Sequence, residues 1–375
     1  MKLSRLYLLF SLLAVSNAAA GELTYNISGY ADALYGYSDV SSRYEKFDKN
    51  NNQVNLGYLS SSAEYDFNED YRGGIYLNLM GGTDKEIQNY NNGNWGKEIY
   101  ASLNTPFGQF VGGETYNVAT LFQLSAPSFG PLKINNSEIV DFISNPNWYR
   151  RDKKYASFKT LNSTAMNTDG VAPKISYISP EFYKTTFGFS YIPDTYNRRG
   201  LENRFADYAR KDAYVAGLFN EQDFGAFQVA TSLGYGIYHK NDQEFTAAMS
   251  VNRGNWTVGG GFRRTYVDGG DYAIAKENLS PRMPAWFDNY REGKAWNAGI
   301  GYQFGPYKGS LSYFEATADN TDNRDRVVMF SNDYQVNKWL NIYAIAAHVD
   351  FRGENWEVQN NNKGYAFVTG LGLNF

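Results

Sequence analysis

From residue 21 onward, apolar and polar positions alternate with a period of two, and helical periodicity is nearly absent. Leu23, Tyr25, Ile27, Gly29, Ala31, Ala33, Tyr35 and Tyr37 fall on one face of an extended segment. Thr24, Asn26, Ser28, Tyr30 and Asp32 fall on the other. Phe227, Val229, Thr231, Leu233, Tyr235 and Ile237 repeat the pattern, as do Trp256-Val258-Gly260-Phe262 and Trp296-Ala298-Ile300-Tyr302-Phe304. Each stretch predicts a β-strand with two chemically different faces. Alternation alone fits a soluble sandwich as well as a membrane barrel.

The connections separate the two. Short ones fall near 68–70, 105–108, 180–181, 221–225, 252–255, 305–306 and 335–338. Longer polar ones fall at 39–53, 83–95, 117–171, 193–211, 239–243, 268–294, 316–325 and 352–363. Short and long alternate, and seven turns with eight loops predict sixteen strands. An even strand number, with short turns at one end and long loops at the other, is the pattern of outer-membrane barrels, whose tilted strands need about 9–11 residues to cross. The predicted fold is all-β: a transmembrane antiparallel β-barrel of 16 strands with short periplasmic turns and long extracellular loops.

The ends of the chain agree. Lys2 and Arg5 precede the apolar run Leu6 to Val15, and Ala18-Ala19-Ala20 supplies small residues for cleavage, so residues 1–20 read as a secretory signal peptide and 21–375 as a single barrel domain. Loss of Lys2 and Arg5 takes the formal charge from -4 to -6. At the other end Tyr365, Phe367, Thr369, Leu371, Leu373 and Phe375 share a face. A last strand ending in phenylalanine resembles the signal read by the outer-membrane assembly machinery.

Composition now becomes positional. The chain holds 32 Tyr, 25 Phe and 7 Trp. Phe67, Tyr71, Phe107, Phe110, Phe182, Tyr183, Phe224, Phe227, Trp256, Phe304, Tyr307, Tyr334 and Trp339 flank short turns. Tyr35, Tyr37, Tyr58, Tyr191, Tyr235, Tyr238, Tyr266, Trp296 and Tyr313 lie near loop ends. Two aromatic rows are what two membrane interfaces require. A mean hydropathy of -0.52 argues against a helical membrane protein and suits a wet lumen with polar loops. The absence of cysteine removes disulfides and thiol chemistry, and an acidic balance without a basic block argues against nucleic acid. His239 and His348 are the only histidines, and no hydrolase or metalloprotease motif includes them, so no enzyme and no cofactor or metal is expected. Asp319, Asp322 and Asp325 depart from a calcium-loop spacing and read as a solvated loop. Gly259-Gly260-Gly261 reads as strand glycine serving close packing.

Three segments carry a family resemblance. Lys97-Glu-Ile-Tyr-Ala-Ser-Leu-Asn-Thr-Pro-Phe-Gly-Gln-Phe-Val-Gly-Gly113 resembles the hairpin before the third loop of Gram-negative general porins. Lys174-Ile-Ser-Tyr-Ile-Ser-Pro-Glu-Phe182 resembles the strand and turn after that loop, and Tyr334-Gln-Val-Asn-Lys-Trp-Leu-Asn-Ile-Tyr343 the penultimate hairpin. The resemblance implies that the third loop, 117–171, folds into the pore as a constriction, that the chain forms trimers, and that it sits among outer-membrane lipid and lipopolysaccharide. It also makes Arg72 a wall cation. Glu114 stands after Gly113 where the family has Gly-Arg, and joins the constriction candidates.

Within 117–171, Glu138 and Asp141 lie close together, followed by Arg150 and Arg151. Strand parity points Arg72, Lys174, Arg263 and Glu98 into the lumen. An acidic loop patch opposite wall cations would set up a transverse field that filters ions by charge. The implied function is passive diffusion of small hydrophilic solutes and ions. A substrate-preferring porin, for example for oligosaccharides, is the alternative, motivated by the long loop and by Tyr30, Tyr76 and Tyr100 as lumen aromatics. A receptor or adhesin barrel acting through its loops is a third.

Overall fold

The computed structural model describes residues 21–41, 51–82, 96–134, 138–145, 147, 160–194, 211–238, 242–266, 292–319, 321–353 and 361–375. Residues 1–20, read above as a signal peptide, and Arg150, Arg151 and His239 lie outside them. Sixteen strands follow the alternating segments. They are β1 (Leu23–Val40), β2 (Asn51–Asp66), β3 (Arg72–Gly82), β4 (Gly96–Thr105), β5 (Gly108–Glu114), β6 (Pro173–Ile178), β7 (Thr185–Asp194) and β8 (Lys211–Asp223). The second half is β9 (Gln228–Ile237), β10 (Gln243–Arg253), β11 (Trp256–Tyr266), β12 (Gly293–Phe304), β13 (Tyr307–Ala318), β14 (Arg324–Gln335), β15 (Leu340–Arg352) and β16 (Asn361–Asn374). Each pairs antiparallel with its sequence neighbours, and β1 pairs with β16, so the sheet closes without an edge. Closure is what lets strands satisfy every backbone group inside a bilayer.

The seam closes on the last residue. Gly29 N donates to the Phe375 carbonyl at 2.9 Å, and Phe375 N donates back to Gly29 O at 3.0 Å. Below this point β1 runs on with β2 alone, from Leu23↔Tyr65 to Gly29↔Leu59, while its pairing with β16 starts at Tyr30↔Asn374. That extension makes β1 18 and β2 16 residues long. β5 and β6 are short for the opposite reason, at 7 and 6 residues, because the chain between them leaves the wall for the lumen.

The register fixes which face is inside. Directly paired residues share a face. Starting from Leu34↔Val54, the inward set is even-numbered on β1–β4, odd on β5, and continues round to even on β16. The outward set carries the aromatic rows. Phe67, Phe107, Phe182, Tyr183, Phe224, Trp256, Phe304, Tyr307 and Trp339 are exposed at the turn end, and Tyr35, Tyr37, Tyr214, Tyr235, Tyr266, Trp296 and Tyr365 toward the loop end. Two expected members leave the outer row. Tyr58 pairs with Tyr30 on the inward face, and Tyr238 is buried. His348 is outward and packs on Tyr365 with ring centroids 4.7 Å apart.

Candidate functional site

The described residues between β5 and β6, a segment here called L3, run inside the barrel and are pinned at the feet. Asn117 caps a single helical turn, α1 (Val118–Leu121), by accepting from Thr120 N at 2.9 Å. Its Nδ2 donates to Met166 O at 2.8 Å and to Asp169 Oδ1 at 2.6 Å, tying the outgoing limb to the returning one. Val118 N donates to Ser190 Oγ on β7 at 3.0 Å. Val118, Ala119 and Met166 of L3 form one apolar cluster with Ile192, Ala213, Val215 and Tyr238 of the wall.

Two buried ion pairs complete the anchorage. Lys174 of β6 meets Asp169 at 3.2 Å, both side chains 0% exposed. Its ammonium also donates to the carbonyls of Thr115, Gly170 (3.1 Å) and Ala172 (2.7 Å), on both feet of the loop. Tyr238 adds a hydroxyl to Asp169 Oδ1 at 3.3 Å. Arg263 of β11 pairs with Glu244 of β10, at 2% and 1% side-chain exposure. It donates to Asn167 Oδ1 at 2.6 Å and Thr168 Oγ1 at 3.0 Å. Water is largely excluded from both, so breaking either leaves an uncompensated charge.

Beyond α1 the loop follows the inner wall. Gly259 and Gly261 of β11 are inward, and a Cβ on them would stand 3.0 Å from Ser125 O and 3.2 Å from Leu124 O, so the triplet admits the L3 backbone. Ala126 N donates to Asn297 of β12 at 2.9 Å, and Phe129 N to Ser331 of β14 at 2.9 Å. L3 then reaches β1 and β2. Leu132, Ile134, Ile139, Phe142, Ile143 and Leu161 pack with Leu34, Val54, Val327, Ile345, Val349, Phe351 and Val368 in the larger apolar cluster. A Cβ at Gly36 would overlap the Phe142 ring, so only glycine leaves the seat for it. A fully buried phenylalanine contributes about 2–3 kcal/mol. Polar ties accompany this packing. Asn52 donates to Asp141 O at 2.6 Å, Asn362 to Ser144 O at 2.9 Å, and Asn147 to Asp325 at 2.7 Å, while Thr160 donates to the other oxygen of Asp325.

The docking contacts described fall on β6–β16, β1 and β2. On β4 L3 is tied at its root, where Thr115 donates to Glu98 at 3.0 Å. The inward face of β3 and β4, with the turn half of β1 and β2 from Tyr30 and Tyr58 down, is therefore the described part of the wall left for a passage. It carries Tyr30 stacked on Tyr58 (centroids 5.6 Å, 18°) and Tyr76 stacked on Tyr100 (4.8 Å, 10°). Tyr76 donates to Glu64 at 3.0 Å, and Asn78 donates to Glu98 at 2.7 Å.

A closed sixteen-stranded barrel with an inward-folded third connection is a channel architecture. The family model for Gram-negative porins matches residues 9–354. The chain belongs to the Gram-negative porin family. This porin is similar in fold to the anion-selective porin from Comamonas acidovorans, at 14% identity and TM-score 0.60, over 94% of this chain and 100% of that one. It is similar to Salmonella typhi OmpF in complex with daunomycin, at 13% identity and TM-score 0.59, over 94% and 97%. The trimer form of Vibrio cholerae OmpT aligns at 11% identity and TM-score 0.57, over 94% and 99%. A search among curated protein sequences finds no match. The porin forms a water-filled channel in the outer membrane.

The expected constriction residues of this porin separate into groups. Lys174 and Arg263 are inward, but beneath L3 in buried pairs, so their charge holds the loop and does not face the passage. Arg72 is inward at the turn end of β3, with a side chain 52% exposed, ion-paired with Asp66 and, at 3.7 Å, with Glu64. Glu98 lies on the open inner face. Glu114 pairs with Ile99, which puts it on the outer face at the end of β5 and apart from the lumen set. Asp141 is buried against the wall. Glu138 opens the 3-10 turn Glu138–Asp141, and its side chain lies outside the described residues, as do Arg150 and Arg151. Asp325, read as a solvated loop residue, is buried under L3, and Asp319 pairs with Arg264, so the three aspartates do not come together. Sequence reasoning missed Asp169, Glu244 and Tyr58. Asp169 and Glu244 are legible only as partners once L3 is folded inward, while Tyr58 shows in strand parity as soon as Tyr30 is called inward.

Proposed function

We propose that this porin is a homotrimeric general-diffusion channel that passes small hydrophilic solutes and prefers cations, through a passage between L3 and the β1–β4 inner face. The sign of charge carries the reading. On the part-exposed portion of that face stand Glu64, Asp66 and Glu98, against Arg72 on the wall and Lys133 on L3, while Asp32 is buried at its loop end. Elsewhere on the turn half of the inner wall, Glu221 and Asp223 stand against Lys308 among the described residues. A lumen lined by one sign of charge raises the local concentration of the opposite ion. Glu138, Arg150 and Arg151 belong to L3 and remain proposed constriction residues. The trimer is supported by the trimer form of the similar Vibrio cholerae OmpT and by the closed cyclic assemblies common among homo-oligomers. Lipopolysaccharide and lipid around the wall, and the assembly machinery at the strand ending in Phe375, are the proposed partners.

The test is reversal potential under a potassium chloride gradient in planar bilayers. The wild type reads cation-selective, and Glu64→Gln/Glu98→Gln moves the potential toward the anion side. An anion-selective wild type, or an unmoved potential in the variant, overturns the reading. Glu138→Gln shifts the potential in the same sense, whereas Asp141→Asn leaves it in place.

A further inference from the structure

The inward rows of β1–β4 alternate in chemistry along the channel. Read from loop end to turn end, the register gives the row of Asp32, then Tyr30↔Tyr58, then Ser60↔Asn78↔Glu98, then Ser62↔Tyr76↔Tyr100, then Glu64↔Gly74↔Ser102, then Asp66↔Arg72↔Asn104. Below Asp32, which is buried, the order is thus stacked pair, carboxylate (Glu98), stacked pair, carboxylate (Glu64), before the final acid Asp66. Successive inward rows are two residues apart, about 7 Å along the strand. Side-chain hydrogen bonds hold the groups in place. Ser60 donates to Asn78 at 2.8 Å, Asn78 to Glu98 at 2.7 Å, Tyr76 to Glu64 at 3.0 Å, and Ser102 to the Tyr76 hydroxyl at 3.4 Å. Each doublet is a near-parallel stack, and all four rings are part-exposed, so a ring edge or outer face of each stack remains open to a solute.

We infer that this strip is a binding lane for organic cations that carry a flat ring, which step from one doublet to the next with the ammonium group against the intervening carboxylate. An aromatic face attracts a cation through its quadrupole and stacks on another ring. A carboxylate within one row supplies the counter-charge. Neutral sugars would use the faces but not the charge, and inorganic cations the charge but not the faces. The inference rests on the passage running along β1–β4, and goes beyond cation preference by naming the solute.

Single-channel recordings in potassium chloride test it, with benzyltrimethylammonium, tetramethylammonium and maltose as probes. The expected result is saturable block of the wild type by benzyltrimethylammonium, with weaker block by tetramethylammonium and least by maltose. Tyr76→Leu/Tyr100→Leu weakens the benzyltrimethylammonium block by about two- to thirty-fold. Tyr76→Phe/Tyr100→Phe keeps the faces and retains the block. If the channel is cation-selective but no probe discriminates, or the leucine variant blocks like wild type, the lane is overturned while the cation preference stands. Equal block by maltose overturns it in favour of a sugar path. An anion-selective wild type that benzyltrimethylammonium still blocks would overturn the cation preference and leave the lane.

Discussion

Lys174 clamps both feet of L3, and its removal is the sharpest test of how the loop is held. The side chain has no exposure, and its ammonium reaches carbonyls on the outgoing foot (Thr115) and the returning foot (Gly170, Ala172) as well as the Asp169 carboxylate. Lys174→Met keeps the apolar stem and deletes the charge. Asp169 then retains donors from Asn117 and Tyr238 but no counter-ion. Removing one partner of a buried pair costs about 3–5 kcal/mol. The foot borders a wet lumen, and water can reach the freed carbonyls after a small displacement, so the lower end, about 3 kcal/mol, is the working value. That shifts the docked-to-undocked ratio of the loop by about two orders of magnitude. The strand ladders are untouched, so the barrel stays folded. The assay pairs open-channel current noise with the rate of tryptic cleavage within L3, whose sequence offers Arg150, Arg151, Lys153 and Lys154. Lys174→Met raises both readouts, and Lys174→Met/Asp169→Asn, which removes both charges, falls between it and wild type. Wild-type noise and cleavage in the single variant would refute the clamp. A double variant as loose as the single would show that packing, not charge pairing, holds the foot.

Gly36→Val places a side chain in the seat of Phe142 and destabilises L3 docking by about 1–3 kcal/mol, read as faster tryptic cleavage with unchanged heat-induced unfolding of the barrel. The chain has no cysteine, so introduced thiols report alone. Ser62→Cys on the inner face reacts with a charged methanethiosulfonate and lowers conductance, whereas Leu77→Cys on the outer face does not, and equal reactivity would reject the register. Phe375→Ala keeps the backbone pair with Gly29, so refolding into detergent proceeds, while the yield assembled in cells falls. Equal yields would separate the terminal side chain from assembly.

How far the sequence carried the reading depended on whether a signal was local. Strand number and the in–out alternation are written residue by residue, because the pleat repeats every two positions and a lipid-facing wall must be apolar. Turn positions were legible for the same reason. The role of an inward charge was not. Arg72, Lys174 and Arg263 have the same parity and look alike in the sequence, yet one stands at the wet turn end and two lie in buried pairs beneath a loop. The difference is made by Asp169 and Glu244, one of them on L3 itself, and by apolar residues facing the lumen. Leu34, Val54, Val327 and Val349 break the rule that inward positions of a wide barrel are polar. An inward aliphatic on such a barrel needs a cover, and Leu132, Ile134, Phe142 and Ile143 supply it. Inward aliphatics, found by parity alone, thus mark where a loop is docked. Inward tyrosines and carboxylates without such neighbours mark where the passage remains, and that distinction is what points to β3, β4 and the turn half of β1 and β2 as the conducting wall.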